Sequence, residues 1–120
     1  MNPQTTPIQI ETSLQPGGDF IPIKEVADIW KDEPMNVDHK EGQVMLIDFW
    51  ATWCPPCQGP MAHNQEMLER RKDWGDKVRI MGISIDQGTE AVRKHVTAKN
   101  WKSVEHLHRG ASTADQDYGV

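Results

Sequence analysis

The sequence predicts an α/β fold with a parallel sheet, and three observations lead to that prediction. Residues 43–50 form a nearly continuous apolar run, which is typical of a parallel strand covered on both faces. Residues 78–85 have the alternating apolar side chains of a second strand. A segment of helical character follows each strand, and strand–helix–strand–helix order is typical of a mostly parallel sheet flanked by helices.

The segment before the first long strand has its own pattern. Residues 8–23 predict a short hairpin, because two alternating segments flank a turn rich in proline and glycine. Residues 24–31 place apolar side chains near one helical face, which predicts a short helix. We therefore divide the chain into an N-terminal extension, residues 1–42, and a core, residues 43–120.

The core contains start and stop signals for its helices. The first helix is expected from residue 54 to 73 or 74, with Gly75 as its C-terminal stop. Thr89 is expected to cap a second helix over residues 90–99. Two short elements complete the prediction, a strand at 103–108 and a helical turn at 112–118.

Composition and charge exclude several classes of protein. The chain has 120 residues, enough for one small domain, and its 37% hydrophobic and 26% charged residues are typical of a globular protein. The net charge of −5 is divided into −6 over residues 1–53 and +1 over residues 54–120, so there is no basic stripe for nucleic acid. No apolar run reaches the roughly 20 residues of a membrane span.

The N-terminus bears on the cellular compartment. The residues after Met1 lack the charged and apolar regions of a secretory signal, so a cytoplasmic location is expected if Met1 is the native start. If a leader has been removed, a periplasmic or secreted location is the alternative. Two cysteines do not make a disulfide scaffold, so the pair is expected to be catalytic rather than structural.

Both cysteines lie in Trp53-Cys54-Pro55-Pro56-Cys57, between the first long strand and the first helix. A C-x-x-C at such a junction is the arrangement for reversible thiol–disulfide exchange. The helix N-terminus and a hydrogen bond from the Cys57 thiol would both favour a Cys54 thiolate. Cys54 is therefore expected to attack a substrate disulfide and Cys57 to resolve the mixed disulfide. Trp53, with Pro55 and Pro56, is expected to form the surface that contacts the substrate.

Asp48 is an acid inside the apolar strand that leads to the motif. Burial disfavours its charge and is expected to raise its pKa. A carboxyl group with a raised pKa would exchange protons with Cys57 through water during resolution. The alternative is that Asp48 only forms hydrogen bonds with its neighbours near the strand end.

Metal binding is a weaker interpretation of the same residues. A C-x-x-C can be half of a zinc site, but a structural zinc needs four ligands and the chain has no further cysteine. His106 and His108 would share one face of a strand, where we expect them to be solvated rather than to hold a metal. His39, His63 and His95 are expected at exposed positions.

Residues 48–57, Asp-Phe-Trp-Ala-Thr-Trp-Cys-Pro-Pro-Cys, closely resemble the thioredoxin superfamily. The Cys-Pro-Pro-Cys form is similar to that of its TlpA-like, nucleoredoxin and tryparedoxin branches, and Asp48 matches the buried acid of thioredoxins. The resemblance implies a thioredoxin-like fold and a protein disulfide oxidoreductase without a bound cofactor. Its partners would be a disulfide-containing protein substrate and an upstream thiol reductant. The alternative function is a redox-sensing adaptor module of the same fold without efficient turnover.

The chain also departs from the family pattern. Pro60 lies three residues after Cys57, whereas family members often place a helix-kinking proline at the position of Ala62. Every proline lies at or before Pro60, so the chain is expected to be truncated before the family's cis-proline loop and final hairpin. The strand at 43–50 would then keep one open edge and invite dimerisation, unless residues 8–23 cover it.

Overall fold

A computed structural model describes residues 20–110 and 112–117. Its strands are β1 (Ile23–Asp28), β2 (Pro34–Val37), β3 (Val44–Trp50), β4 (Val78–Ser84) and β5 (Glu105–His108). Its helices are α1 (Pro55–Arg70), α2 (Thr89–Lys99) and the short α3 (Ala114–Asp117), with a 3-10 segment at Lys72–Lys77. The strands form one mixed sheet in the order β2-β1-β5-β4-β3. The predicted α/β fold is confirmed.

Three parallel strands, β3, β4 and β5, form the part of the sheet next to the C-x-x-C motif. β3 pairs with β4 over seven positions, from Val44 opposite Val78 to Trp50 opposite Ser84. β4 pairs in parallel with β5, and α1 and α2 connect the successive strands. The carboxyl ends of the three strands therefore meet at one edge of the sheet, where open parallel sheets bind their ligands.

The helix expected over residues 24–31 is wrong, because residues 24–28 belong to β1 and residues 29–31 form a turn. β1 forms an antiparallel hairpin with β2 and also pairs antiparallel with β5. The N-terminal extension thus adds two strands to the same sheet as the core, and the boundary between residues 42 and 43 stays a prediction. The hairpin expected over residues 8–23 lies largely outside the described residues.

β3 lies at the edge of the described sheet. Within residues 20–110 and 112–117 it pairs only with β4, as expected for a strand with one open edge. The burial expected of a strand covered on both faces is incomplete, since Val44 and Leu46 are 63% and 43% exposed. An exposed apolar strand edge is a site for pairing with another chain.

Two hydrophobic clusters cover the two faces of the sheet. The helix-side cluster contains residues of α1 and α2 and consists of Ile29, Trp50, Met61, Ile80, Val92, Val96, Trp101 and Val104. The opposite cluster consists of Ile23, Val26, Val37, Met81, Ile83, Leu107 and Ala114. Neighbouring residues of β4, such as Ile80 and Met81, belong to different clusters because successive strand side chains point to opposite faces.

The helix boundaries differ from the prediction in two places. α1 continues through Pro60 and ends at Arg70, and the 3-10 segment carries the chain past Gly75. Gly75 has a φ of 55° and a ψ of −131°, a conformation that glycine adopts without the clash of a Cβ atom. Gly88, not Thr89, is the N-cap of α2, and the Thr89 hydroxyl instead donates to Asp32 at 2.7 Å.

We expect Gly82→Ala to lower the free energy of unfolding by about 1–3 kcal/mol, as overpacking of a core does. A Cβ atom on Gly82 would lie 2.8 Å from Met61 Cε and 3.1 Å from Trp50 Nε1, and both side chains are buried. Urea unfolding measures the change. Gly59→Ala is the matched control, because its Cβ would meet nothing within 4 Å and alanine favours the helix interior by up to about 1 kcal/mol. Equal stability of the two variants would contradict the packing described here.

Candidate active site

The C-x-x-C motif lies at the carboxyl edge of the parallel strands. β3 ends at Trp50, a short loop follows, and Cys54 is the N-cap of α1. Cys54 and Cys57 are joined as a disulfide with their Cα atoms 5.4 Å apart, within the usual range for such a bond. The Cys57 amide donates to the Cys54 carbonyl oxygen at 3.1 Å, which closes the turn between them.

The surroundings of the disulfide combine an exposed and a packed side. Both cysteines are half-buried, and Cys57 packs against the helix-side cluster. Trp53 is 67% exposed, and Pro55 and Pro56 are exposed as well. The motif therefore presents an apolar surface to solvent beside a disulfide that rests on the protein core.

The two prolines change the electrostatics of the helix N-terminus. Pro55 and Pro56 occupy the first two positions of α1, and neither has an N–H group. The first N–H of the helix is that of Cys57, and it already donates to the Cys54 carbonyl oxygen. Stabilisation of a Cys54 thiolate by free helix N–H groups is thus weaker than at a helix start without prolines, although the helix dipole remains.

Asp48 is half-buried on β3 and faces α1. Its Oδ2 accepts a hydrogen bond of 3.3 Å from Asn64 Nδ2. Burial raises the pKa of Asp48, the direction expected from its apolar neighbours in the sequence. Asn64 follows Cys57 by seven residues, which is two helical turns, so Asp48 contacts the face of α1 that carries Cys57.

Asp86 is a site residue that sequence analysis missed. Its buried carboxylate accepts hydrogen bonds from the Thr52 amide at 3.1 Å, the Thr52 hydroxyl at 2.6 Å and the Ser84 hydroxyl. Thr52 lies in the loop that leads to Cys54, so Asp86 holds that loop against the end of β4. The available signal was its position, because a polar residue just after a buried parallel strand lies at the edge where sites form.

Gln58 and His95 form a second missed contact with the loop. Gln58 Nε2 donates to the carbonyl oxygens of Cys54 at 2.9 Å and Ala51 at 3.2 Å, and Gln58 Oε1 lies 2.6 Å from His95 Nε2. Gln58 could have been found from the sequence, since it is one helical turn from Cys54 and helical side chains lean toward the N-terminus. No local signal marks His95, which is half-buried rather than exposed as expected.

The expectation of solvated His106 and His108 is wrong, because both side chains are buried. Nε2 of His106 donates to the Trp101 carbonyl oxygen at 2.7 Å, and Nε2 of His108 donates to the Asp86 carbonyl oxygen. Burial lowers the pKa of His106, partly offset by its hydrogen bond to Trp101. Both nitrogens of His108 are paired, since its Nδ1 accepts from the Gly110 amide, whereas Nδ1 of His106 has no hydrogen-bond partner among the described residues. The backbone bonds of both Nε2 atoms hold these side chains in the sheet.

In the described part of the chain, no group of three or more histidine, cysteine or acidic side chains is arranged to hold a metal ion. None of the described helices has the length and apolar character needed to cross a bilayer.

Comparison with known proteins gives the family of this chain. A family model described as thioredoxin-like matches residues 42–120. The thiol-disulfide oxidoreductase ResA of Oceanobacillus iheyensis is 33% identical over 78 residues, which cover 62% of this chain and 39% of ResA. Thioredoxin of Bacillus subtilis is 38% identical over 64 residues, which cover 53% of this chain and 58% of that thioredoxin. The chain thus spans about half of the length of these curated relatives.

A solved structure with the same fold is that of the pneumococcal exposed lipoprotein thioredoxin Etrx1 from Streptococcus pneumoniae. The TM-score is 0.60 at 20% identity, over 82% of this chain and 73% of Etrx1. This similarity supports the fold, and the family match covers well over half of the sequence. The resemblance inferred from residues 48–57 is confirmed, and the chain belongs to the thioredoxin-like family.

Proposed function

We propose that this chain catalyses thiol–disulfide exchange with protein substrates through Cys54 and Cys57. The observation that carries the proposal is a pair of cysteines at disulfide distance, at the N-terminus of a helix and beside an exposed tryptophan. The oxidoreductase ResA, to which the chain is similar, supports the same chemistry.

The exchange proceeds in two displacement steps. The Cys54 thiolate attacks one sulfur of a substrate disulfide, which forms a mixed disulfide and releases the other substrate sulfur as a thiolate. The Cys57 thiolate then attacks the Cys54 sulfur and releases the second substrate thiol. The Cys54–Cys57 disulfide forms, the substrate gains two electrons, and an upstream thiol reductant restores the dithiol.

The substrate is proposed to contact the exposed apolar surface around the pair. Trp53 supplies most of that surface, and Pro55 and Pro56 give it a rigid backbone without competing N–H donors. An aromatic side chain exposed beside a reactive sulfur buries a large apolar area when a peptide docks on it.

We expect the chain to accelerate the reduction of insulin by dithiothreitol, and Cys54→Ser to abolish that acceleration because the attacking sulfur is lost. Cys57→Ser should instead accumulate a mixed disulfide with the substrate, since resolution is blocked. Turbidity and non-reducing mass spectrometry measure the two outcomes. Substrate binding without turnover by the wild-type chain would favour the adaptor function and contradict this proposal.

We further propose that Asp48 transfers a proton for Cys57 during resolution. Three observations support this role: Asp48 is half-buried, its pKa is raised by burial, and it contacts the same face of α1 as Cys57. A water molecule between the two side chains would carry the proton. A purely structural Asp48 would also make the hydrogen bond to Asn64. The rate of mixed-disulfide resolution distinguishes the structural role from proton transfer.

We expect Asp48→Asn to stabilise the fold at pH 7 and to slow resolution. The raised pKa means that ionisation of Asp48 is disfavoured in the folded state, so its favourable contribution is present at low pH and lost as the pH rises through that pKa. Asparagine stays neutral, and its stabilising effect should therefore disappear below about pH 4, near the unfolded value. Resolution should slow by about 100-fold, a typical general-base contribution.

Thermal unfolding from pH 3 to 8 measures the first effect of Asp48→Asn. Decay of a preformed Cys54 mixed disulfide over the same pH range, roughly the titration range of a carboxyl group with a raised pKa, measures the second. Asp76→Asn, at an exposed aspartate, is the control and should leave both profiles unchanged. A wild-type rate and pH profile of resolution in Asp48→Asn would refute the proton-transfer role.

A homodimer through the β3 edge is proposed for the 120-residue chain. Val44 and Leu46 are exposed on this edge, and two copies would pair symmetrically along it. Leu46→Lys should shift a dimer to monomer in light scattering, because it places a charge on each edge strand. Trp30→Lys is the control at an exposed apolar residue away from β3. A wild-type chain that stays monomeric at millimolar concentration would contradict this proposal.

The compartment is proposed to be extracytoplasmic, the alternative expected if a leader has been removed. An exposed lipoprotein is among the structures with this fold, which supports that alternative over the cytoplasm. Fractionation of the natural host separates the two locations, and recovery of the protein with cytoplasmic markers would exclude the extracytoplasmic one.

A further inference from the structure

The loop before Cys54 presents several carbonyl oxygens to one side chain. Gln58 Nε2 lies 2.9 Å from the carbonyl oxygen of Cys54, and it approaches those of Ala51 at 3.2 Å and Thr52 at 3.5 Å. Each oxygen carries partial negative charge, and all three belong to the segment of residues 51–54 that ends in Cys54. A donor amide at this place offsets that charge and holds the loop in one conformation.

The loop carbonyls set the orientation of the Gln58 amide, and His95 completes its hydrogen bonding. Gln58 Oε1 can only accept a hydrogen bond, so His95 Nε2 carries the proton in their 2.6 Å contact. A reversed amide would direct its oxygen at the loop carbonyls and its NH₂ group at the Nε2–H of His95. The carbonyl acceptors therefore require the NH₂ group to face the loop, and the Nε2–H tautomer of His95 holds the amide in that orientation.

His95 is itself held in place by aromatic packing. Its ring centroid is 5.8 Å from that of Trp50 and 5.4 Å from that of Trp101. Burial lowers the pKa of His95, and so does nearby Lys99, whereas Asp86 opposes the change. His95 retains the Nε2 proton in its neutral and its protonated form, so the bond to Gln58 persists through its titration.

We propose that Gln58, held by its hydrogen bond from His95, is a positioning residue that sets the conformation of residues 51–54 and the acidity of the Cys54 thiol. Pro55 and Pro56 remove two N–H groups from the start of α1, and the Gln58 amide supplies donors at the same end of the helix. The contact between Gln58 and His95 connects α2 to the motif across 37 residues of sequence. This role rests on the proposed exchange function but has readouts of its own.

The test measures the acidity of Cys54 and the reduction potential of the pair in the full chain. Gln58→Leu keeps the approximate size of the side chain and removes its donors, so the Cys54 thiolate fraction at pH 7 should fall about five-fold, the effect of one hydrogen bond. Alkylation with iodoacetamide against pH reports the thiolate, and glutathione equilibration reports the potential. Unchanged values for Gln58→Leu would overturn the proposal.

His95 variants separate positioning from packing. His95→Phe keeps a ring between the two tryptophans but removes the donor, so the acidity of Cys54 should fall. His95→Gln keeps a donor and should retain part of the wild-type acidity. The double variant Gln58→Leu/His95→Phe should match Gln58→Leu alone, because the two residues act through one contact. Additive effects in the double variant would contradict the proposal. If Gln58→Leu failed to fold, the absence of any effect of His95→Phe on Cys54 would contradict it.

Two controls complete the design. His63→Phe changes an exposed histidine of α1 and should leave the alkylation profile unchanged. Insulin reduction by the wild-type chain tests the exchange function separately. A wild-type chain without turnover, but with a Cys54 acidity that depends on Gln58 and His95, would refute the proposed function and leave the positioning role intact.

Discussion

The parallel pairing of β3 with β4 is the interaction on which the site depends. It runs for seven positions and places Trp50 opposite Ser84, so both strands end at the same level. The loop to Cys54 and the loop after β4 therefore start side by side, and the Asp86 carboxylate reaches the Thr52 amide. A shift of the register by one residue would turn each β3 side chain to the other face and separate these groups.

The geometry of the motif also depends on which hydrogen-bond partners its backbone carbonyl and N–H groups find. The two prolines give α1 a rigid start but remove its first N–H groups. Two side chains bind the adjacent loop: Gln58, one turn into α1, donates to loop carbonyls, and Asp86, after β4, accepts from the Thr52 amide. Loop and helix are thus held from both sides, which keeps the disulfide in place on the helix-side cluster.

Sequence patterns predicted the existence and type of β3, β4, β5, α1 and α2, but they misplaced the end of α1 and the cap of α2. They failed at residues 24–31, where Val26, Ile29 and Trp30 fit a helical face almost as well as a strand. Pairing of β1 with β2 and β5 decides in favour of the strand, since tertiary contacts override weak local propensity. The histidines of β5 were misplaced for a similar reason, because their burial depends on the hydrogen-bond acceptors Trp101 and Asp86.

The sequence by itself determined the cysteine pair, because Cys54 and Cys57 lie within one helical turn and local geometry brings their sulfurs together. It also predicted the direction of the pKa shift of Asp48, although the burial that raises this pKa exists only in the folded protein, where Asp48 lies against α1. Only the tertiary structure decided which side chains surround the pair. Gln58 meets His95 across 37 residues and Thr52 meets Asp86 across 34, and such contacts exist only once the sheet has aligned the ends of β3 and β4.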